Sequence, residues 1–153
     1  MIEVEIEAEA WTDALADAEA LVIAAAEAAL KGADAEGGVV VLLADDAAIH
    51  ELNQQFRDKD QPTNVLSFPA AENPEHHLGD VALAFETCLR EAKEQSKPLA
   101  HHLQHLVTHG VLHLLGYDHI TDTEADQMEG LERIVLAGLG VPDPYAAEAG
   151  DHV

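Results

Sequence analysis

Apolar and acidic residues alternate in IEVEIEA (2–8), and period two is the mark of a half-exposed strand. Thr12 or Asp13 can cap a following helix that carries Leu15, Leu21, Val22, Ala25 and Ala29 and is closed by Gly32. Gly37 and Gly38 lead into VVVLLA (39–44), a short continuous apolar run that suits a buried strand. Asp45 or Asp46 then caps a helix with Ile49, Leu52 and Phe56 on one face. RDKDQPT (57–63) is polar, contains proline and reads as a loop. NVLSF (64–68) is a strand ended by Pro69, ENPEHH (72–77) a second loop, and GDVALAF (79–85) a strand with Val81, Leu83 and Phe85 on one face.

From about Glu86 to Lys97 the pattern turns helical and places Arg90, Lys93 and Lys97 on one stripe. Pro98 suits the first turn of the next helix, whose apolar stripe is Leu99, Leu103, Leu106, Val107, Gly110 and Leu114. Gly116 is placed to stop it, since glycine enters the left-handed cap conformation without penalty. Thr121-x-x-Glu124 resembles a capping box for a last helix. That helix turns Met128, Leu131, Val135 and Leu139 inward and pairs Glu129 with Arg133 outside. Four strands and about five helices in mixed order predict an α+β fold, a single domain over residues 1–141 with a small mixed sheet. Residues 142–153 lack period and read as a flexible C-terminal tail.

Composition narrows the function. No apolar run reaches the roughly 18 residues of a membrane span, and the acidic, alternating start is neither a signal nor a transit peptide. One cysteine, Cys88, makes no intrachain disulfide and no thiolate cluster, which points to a reducing cytoplasm. The chain has 30 acidic residues against 7 basic ones, a net charge of −23, and so lacks the basic footprint usual for nucleic-acid binding. The cations are concentrated, however. Residues 57–97 hold eight acids and five bases, whereas residues 1–56 hold 13 acids and one base.

The densest chemistry is HGVLHLLGYDH, residues 109–119. His109 and His113 stand four apart on a predicted helix, so their rings project from one face, the geometry for sharing a zinc ion. His105 lies on the same stripe, but the rise from His105 to His113 is roughly 12 Å at about 1.5 Å per residue, too far to close on one ion. A third ligand therefore requires the chain to turn back, and Gly116 lets it, bringing His119 toward the metal. Three ligands leave a fourth position for water, as in catalytic zinc sites. The other histidines of this region, His101, His102 and His105, with His76 and His77, read as surface groups or as partners of ligands. Metzincin proteases share the spacing in HExxHxxGxxH, where the Glu is the general base. Here that place is Gly110, which cannot take a proton.

HGVLHLLGYDH also resembles the signature of the YbeY family of bacterial endoribonucleases, or rRNA maturation factors. LNQQFRDKDQPTNVLSFP (52–69) is similar to the family's segment around a functional arginine, LGDVALA (78–84) to its next block, and the helix around Met128 to its C-terminal end. The likeness runs from about Leu52 to Gly140. It implies one Zn²⁺ ion held by His109, His113 and His119, with Arg57 as the functional arginine. It further implies a cytoplasmic, single-strand-directed endoribonuclease acting in 16S rRNA 3′-end maturation and ribosome quality control. Its partners would be the 16S rRNA precursor and the ribosome or small-subunit proteins, with no membrane and no DNA.

Arg57 can hold a phosphate bidentately, and Lys59, Arg90, Lys93 and Lys97 could extend a phosphate-binding strip. Asp80 and Asp118 could orient ligands or water, since metal-bound histidines usually give their other N–H to an acceptor. Asn64 stands where the family usually has aspartate, and a structural role there is the simpler account. Two alternatives are another metal hydrolase, such as a peptidase or amidase, and an assembly factor whose metal fixes the fold.

Overall fold

A computed structural model of the chain describes residues 2–57, 63–118 and 121–145, at Phe56 and Arg57 for the backbone only. β1 (Ile2–Ile6), β2 (Gly38–Ala44), β3 (Val65–Pro69) and β4 (His77–Ala84) form one sheet in the order β1-β2-β4-β3. The first, second and fourth strands run parallel, and β3 returns antiparallel along β4. The helices are α1 (Ala10–Ala14), α2 (Ala18–Gly32), α3 (Asp46–Arg57), α4 (Phe85–Glu94), α5 (Leu99–Leu114) and α6 (Asp122–Gly138). The α+β domain with a small mixed sheet is as expected.

Alternation along the strands sends residues to two unlike faces. Val39, Val41, Leu43, Val81 and Leu83 join one core with residues of α2, α5 and α6. Ala44, Leu66, Ala82 and Ala84 turn the other way, against Ile49 of α3. α5 is the central helix of the larger core, burying Leu103, Leu106, Val107, Val111, Leu112 and Leu114. Each such side chain contributes about 1.5–3 kcal/mol when fully withdrawn from water. Gly110 lets α5 approach the sheet closely. A Cβ there would lie 2.7 Å from Val81 Cγ1, and the Ser67 hydroxyl donates to the Gly110 carbonyl at 3.0 Å.

The helix ends follow local chemistry. Asp45 Oδ1 accepts the Ala48 N–H at 2.8 Å, capping α3. The capping box of Thr121 and Glu124 is formed in full at the start of α6. At the end of α5, Gly116 takes φ +98°, while Gly116 N–H donates to His113 O and Tyr117 N–H to Leu112 O, both at 3.0 Å. That pair of bonds is a Schellman cap, which reverses the chain.

Several expected boundaries move. The helix expected to be capped by Thr12 or Asp13 is two helices, because Leu15 is extended at φ −135°, ψ 98° and Asp17 begins α2 anew. The break lets Trp11 drop into the core, where its indole N–H donates to Ala44 O at 2.9 Å. Phe85 opens α4 rather than ending β4, and its ring meets Trp11 edge-on at 5.1 Å. α4 stops at Glu94, with Ser96 at φ 55°, so Lys97 lies beyond the helix that carries Arg90 and Lys93. Pro98 is the cap of α5, with ψ 142°, and Leu99 its first helical residue. His77 belongs to β4, not to the preceding loop. No helix among the described residues is long and apolar enough to cross a membrane.

Candidate metal centre

Packing fixes which face of α5 is left for chemistry. With Leu106, Val107, Gly110, Val111 and Leu114 buried, His109 and His113 stay half-buried on the remaining face. Their rings meet at right angles with centroids 4.5 Å apart, and their Nε2 atoms converge to 3.0 Å. Two nitrogens bound to one tetrahedral zinc at about 2.0–2.1 Å stand about 3.3 Å apart. The pair is thus close to the spacing a shared ion requires. It faces a pocket of about 420 Å³ lined by Asn64, Val65, Ser67, Pro69, His109, His113, Gly116, Tyr117 and Asp118.

The tautomer of His109 is set from α6. Glu132 is fully buried, and its Oε1 accepts from His109 Nδ1 at 2.7 Å. A carboxylate can only accept, so Nδ1 carries the proton and Nε2 presents its lone pair to the pocket. The other oxygen, Oε2, accepts from His105 Nε2 at 2.8 Å and from the Tyr145 hydroxyl at 2.6 Å. Burial alone would raise the pKa of Glu132, but hydrogen bonds from His105, His109 and Tyr145 outweigh it and hold the carboxyl down at about 2. The same contact, after burial, pushes the Tyr145 phenol up, which keeps it a donor. Tyr145 lies in the segment expected as a flexible tail, and this bond fixes it against α6.

His105, His109 and Glu132 together are a group that could hold a metal ion, with donor atoms within 4.8 Å of one another. Their 2.7 and 2.8 Å contacts are hydrogen-bond distances, and Glu132 has no exposed surface from which to receive substrate. The donor set facing the open pocket is instead Nε2 of His109 and of His113, with Glu132 behind it. Neutral imidazole donors suit zinc and neighbouring divalent transition metals.

Asp118 lines the pocket beside the two histidines. Asp80 does not. Its side chain alternates to the sheet face away from α5, where it pairs with His77 at 2.8 Å and borders a groove formed by Val40, Leu42 and Phe68. Asp80, which the sequence offers as a group that could orient ligands or water, is sent to the other face because period two puts it opposite the buried Val81. Arg57 is the last residue of α3; its side chain, Lys59 and His119 lie outside the described residues. Cys88 is buried and its thiol pushed up, chiefly by desolvation, so it remains an inert thiol.

Glu132 and Tyr145 were not legible as site residues, although one signal was present. Met128, Leu131, Glu132 and Val135 follow helical spacing, so a carboxylate stood on an inward stripe. A charge there calls for partners.

The whole chain can be set beside known proteins. A family model described as Endoribonuclease YbeY matches residues 3–140. The chain is similar to the protein named endoribonuclease YbeY of Rhodopseudomonas palustris, 53% identical, with 95% of this chain and 81% of the relative covered. Proteins of the same name match from Paramagnetospirillum magneticum, at 51% identity over 96% of both chains, and from Azorhizobium caulinodans, at 53% over 97% and 98%. The solution structure of TM1509 from Thermotoga maritima superposes with a TM-score of 0.64 at 28% identity, covering 99% of this chain and 93% of that one. From matches of this extent and identity it follows that the chain belongs to the endoribonuclease YbeY family.

Proposed function

We propose that this protein is a zinc-dependent, single-strand-directed endoribonuclease that matures the 3′ end of 16S rRNA and serves ribosome quality control in the cytoplasm. The observation that carries the proposal is the convergence of His109 and His113 Nε2 at 3.0 Å on the wall of an open pocket. His119, three residues beyond the turn at Gly116, is the third ligand in this proposal. Bound there, zinc supplies a Lewis acid that lowers the pKa of water and polarises a phosphate oxygen.

The chain's own residues do the rest. Glu132 holds His109 in the tautomer that offers Nε2. Arg57 neutralises the scissile phosphate, and Lys59 extends that contact along the strand. Arg90 and Lys93, exposed on α4, are the cations available to the flanking phosphates. With a net charge of −23, RNA affinity rests on this local strip and on the small-subunit surface, so it should fall steeply with salt. Gly110 speaks against peptide hydrolysis on the metzincin plan, because it offers no base and a side chain at position 110 would press on Val81 and Ser67.

The test is cleavage of a single-stranded RNA carrying the 16S 3′ end by zinc-loaded protein and by a His113→Ala variant. Cleavage by the wild type and none by the folded variant is the expected result. Absence of cleavage by the wild type, or equal cleavage by both, overturns the nuclease proposal. If the variant fails to fold, the metal is structural.

A further inference from the structure

The pocket of His109 and His113 has a wall that includes Asn64, just before β3, and there Asn64 is held by a contact that reaches out of the pocket. Its Nδ2 donates to Glu91 Oε1 at 2.9 Å. The same oxygen accepts from Nε2 of His102 at 2.9 Å, a side chain only 3% exposed. Glu91 belongs to α4 and His102 to α5, so two helices fix one amide. Because a carboxylate accepts and does not donate, the amide cannot be flipped. Nδ2 must face Glu91, and Oδ1 is left as the side chain's acceptor. Among the described residues no donor meets that oxygen. Ser67, on the same wall, is differently placed, with its hydroxyl turned back onto the Gly110 carbonyl.

We propose that Asn64 is a specificity-determining residue whose fixed Oδ1 accepts a hydrogen bond from a ribose 2′-hydroxyl of the bound strand, with Glu91 and His102 as positioning residues behind it. This rests on the endoribonuclease reading above. The 2′-hydroxyl is the donor that every RNA sugar carries next to its phosphate, and it is the group that separates RNA from DNA. An acceptor in the same pocket as the metal-binding histidines meets it whatever the base, so the contact selects RNA without reading sequence.

The test is fluorescence anisotropy, read immediately after mixing. Zinc-loaded protein is titrated into a short labelled single strand made as RNA and as the 2′-deoxy strand of the same sequence. Asn64→Ala should bind RNA roughly three- to tenfold more weakly while DNA binding is unchanged, the size of one lost neutral hydrogen bond. Glu91→Ala keeps Asn64 but frees its amide, and should lower the RNA preference by a smaller factor, roughly twofold or more. Thermal melts establish that each variant is folded, and Glu91→Ala carries the test if Asn64→Ala is not. Equal weakening of RNA and DNA, or an unchanged preference in the folded variants, overturns the assignment of Asn64 alone. A wild type that binds neither strand and cleaves no RNA overturns the nuclease reading and this inference with it.

Discussion

In the first half of α5, His102 and His105 each commit Nε2 to a carboxylate, Glu91 and Glu132 respectively. One turn further on, His109 commits Nδ1 instead, and its Nε2 is directed at His113 and the pocket. These are the same residue type on the same helix, and the difference lies in the side from which the carboxylate approaches. Where it reaches the distal nitrogen, the ring is closed off. His102 and His105 have buried Nδ1 atoms with no hydrogen-bond partner among the described residues. Where it reaches the proximal nitrogen, the distal lone pair is presented to a ligand. Glu132 does both at once, one oxygen for each ring, and so marks the boundary between a histidine closed off by a carboxylate and one that faces the pocket.

The strongest way to break this comparison is to make the same change on both sides of the boundary. His109→Gln should lose more than about 100-fold in zinc affinity, beyond the usual cost of losing a ligand's outer partner, and RNA cleavage should fall to background. His105→Gln keeps an N–H for Glu132 and should stay within roughly threefold of wild type. Titration against a chromophoric chelator reads both. If His105→Gln loses as much as His109→Gln, His105 is itself a ligand and the boundary is misplaced.

A smaller effect is expected at the boundary residue. Glu132→Gln keeps the shape but offers one acceptor and one N–H₂ to two rings that both need an acceptor. One ring must change tautomer, and zinc affinity should fall about 10- to 100-fold. Wild-type affinity in a folded Glu132→Gln protein would show that the carboxylate does not orient His109. Tyr145→Phe removes one of the three donors to that carboxylate and should cost about 1.5–3 kcal/mol of stability, as for hydrogen bonds to charged groups. Calorimetry of the metal-free protein measures it. Zinc affinity should fall only roughly two- to fivefold, because the other two bonds to Glu132 remain. No change in either quantity would show that the hydroxyl does not tie Tyr145 to α6.

Much of this arrangement was written locally and could be read. The four strands, the α5 stripe, the cap at Gly116 and the Thr121–Glu124 box depend on periodicity or on neighbours within a few residues. The partners of the histidines depend on tertiary contact, which spacing does not report. Glu132 lies 23 residues from His109 and Glu91 lies 11 from His102, each on a different helix. Asp80 shows the converse. Its place in the chain suggested the site, yet strand alternation sends it to the opposite face, where His77 takes it up. The break between α1 and α2 was hidden for a related reason. Thr12 and Asp13 look like caps, but the buried Trp11 and its bond to Ala44 determine where the backbone turns.

Gly110 offers the smallest effect on the site and the sharpest separation of packing from chemistry. In sequence it stood where a metzincin has its general base, and its lack of a side chain counted against proteolysis. In the fold it is a contact surface. An added Cβ would sit 2.7 Å from Val81 Cγ1 and 3.2 Å from Ser67 Oγ, both on the strands against which α5 packs. Gly110→Ala should therefore destabilise the protein by about 1–3 kcal/mol through overpacking, partly offset by the better helix propensity of alanine. Zinc affinity and the RNA-to-DNA preference should stay at wild-type values below the melting transition, because His109 and His113 project from another face of the helix. If the folded variant lost zinc binding without losing stability, position 110 would belong to the metal centre after all. If stability were unchanged, the close approach of α5 to β4 would not be what demands glycine there.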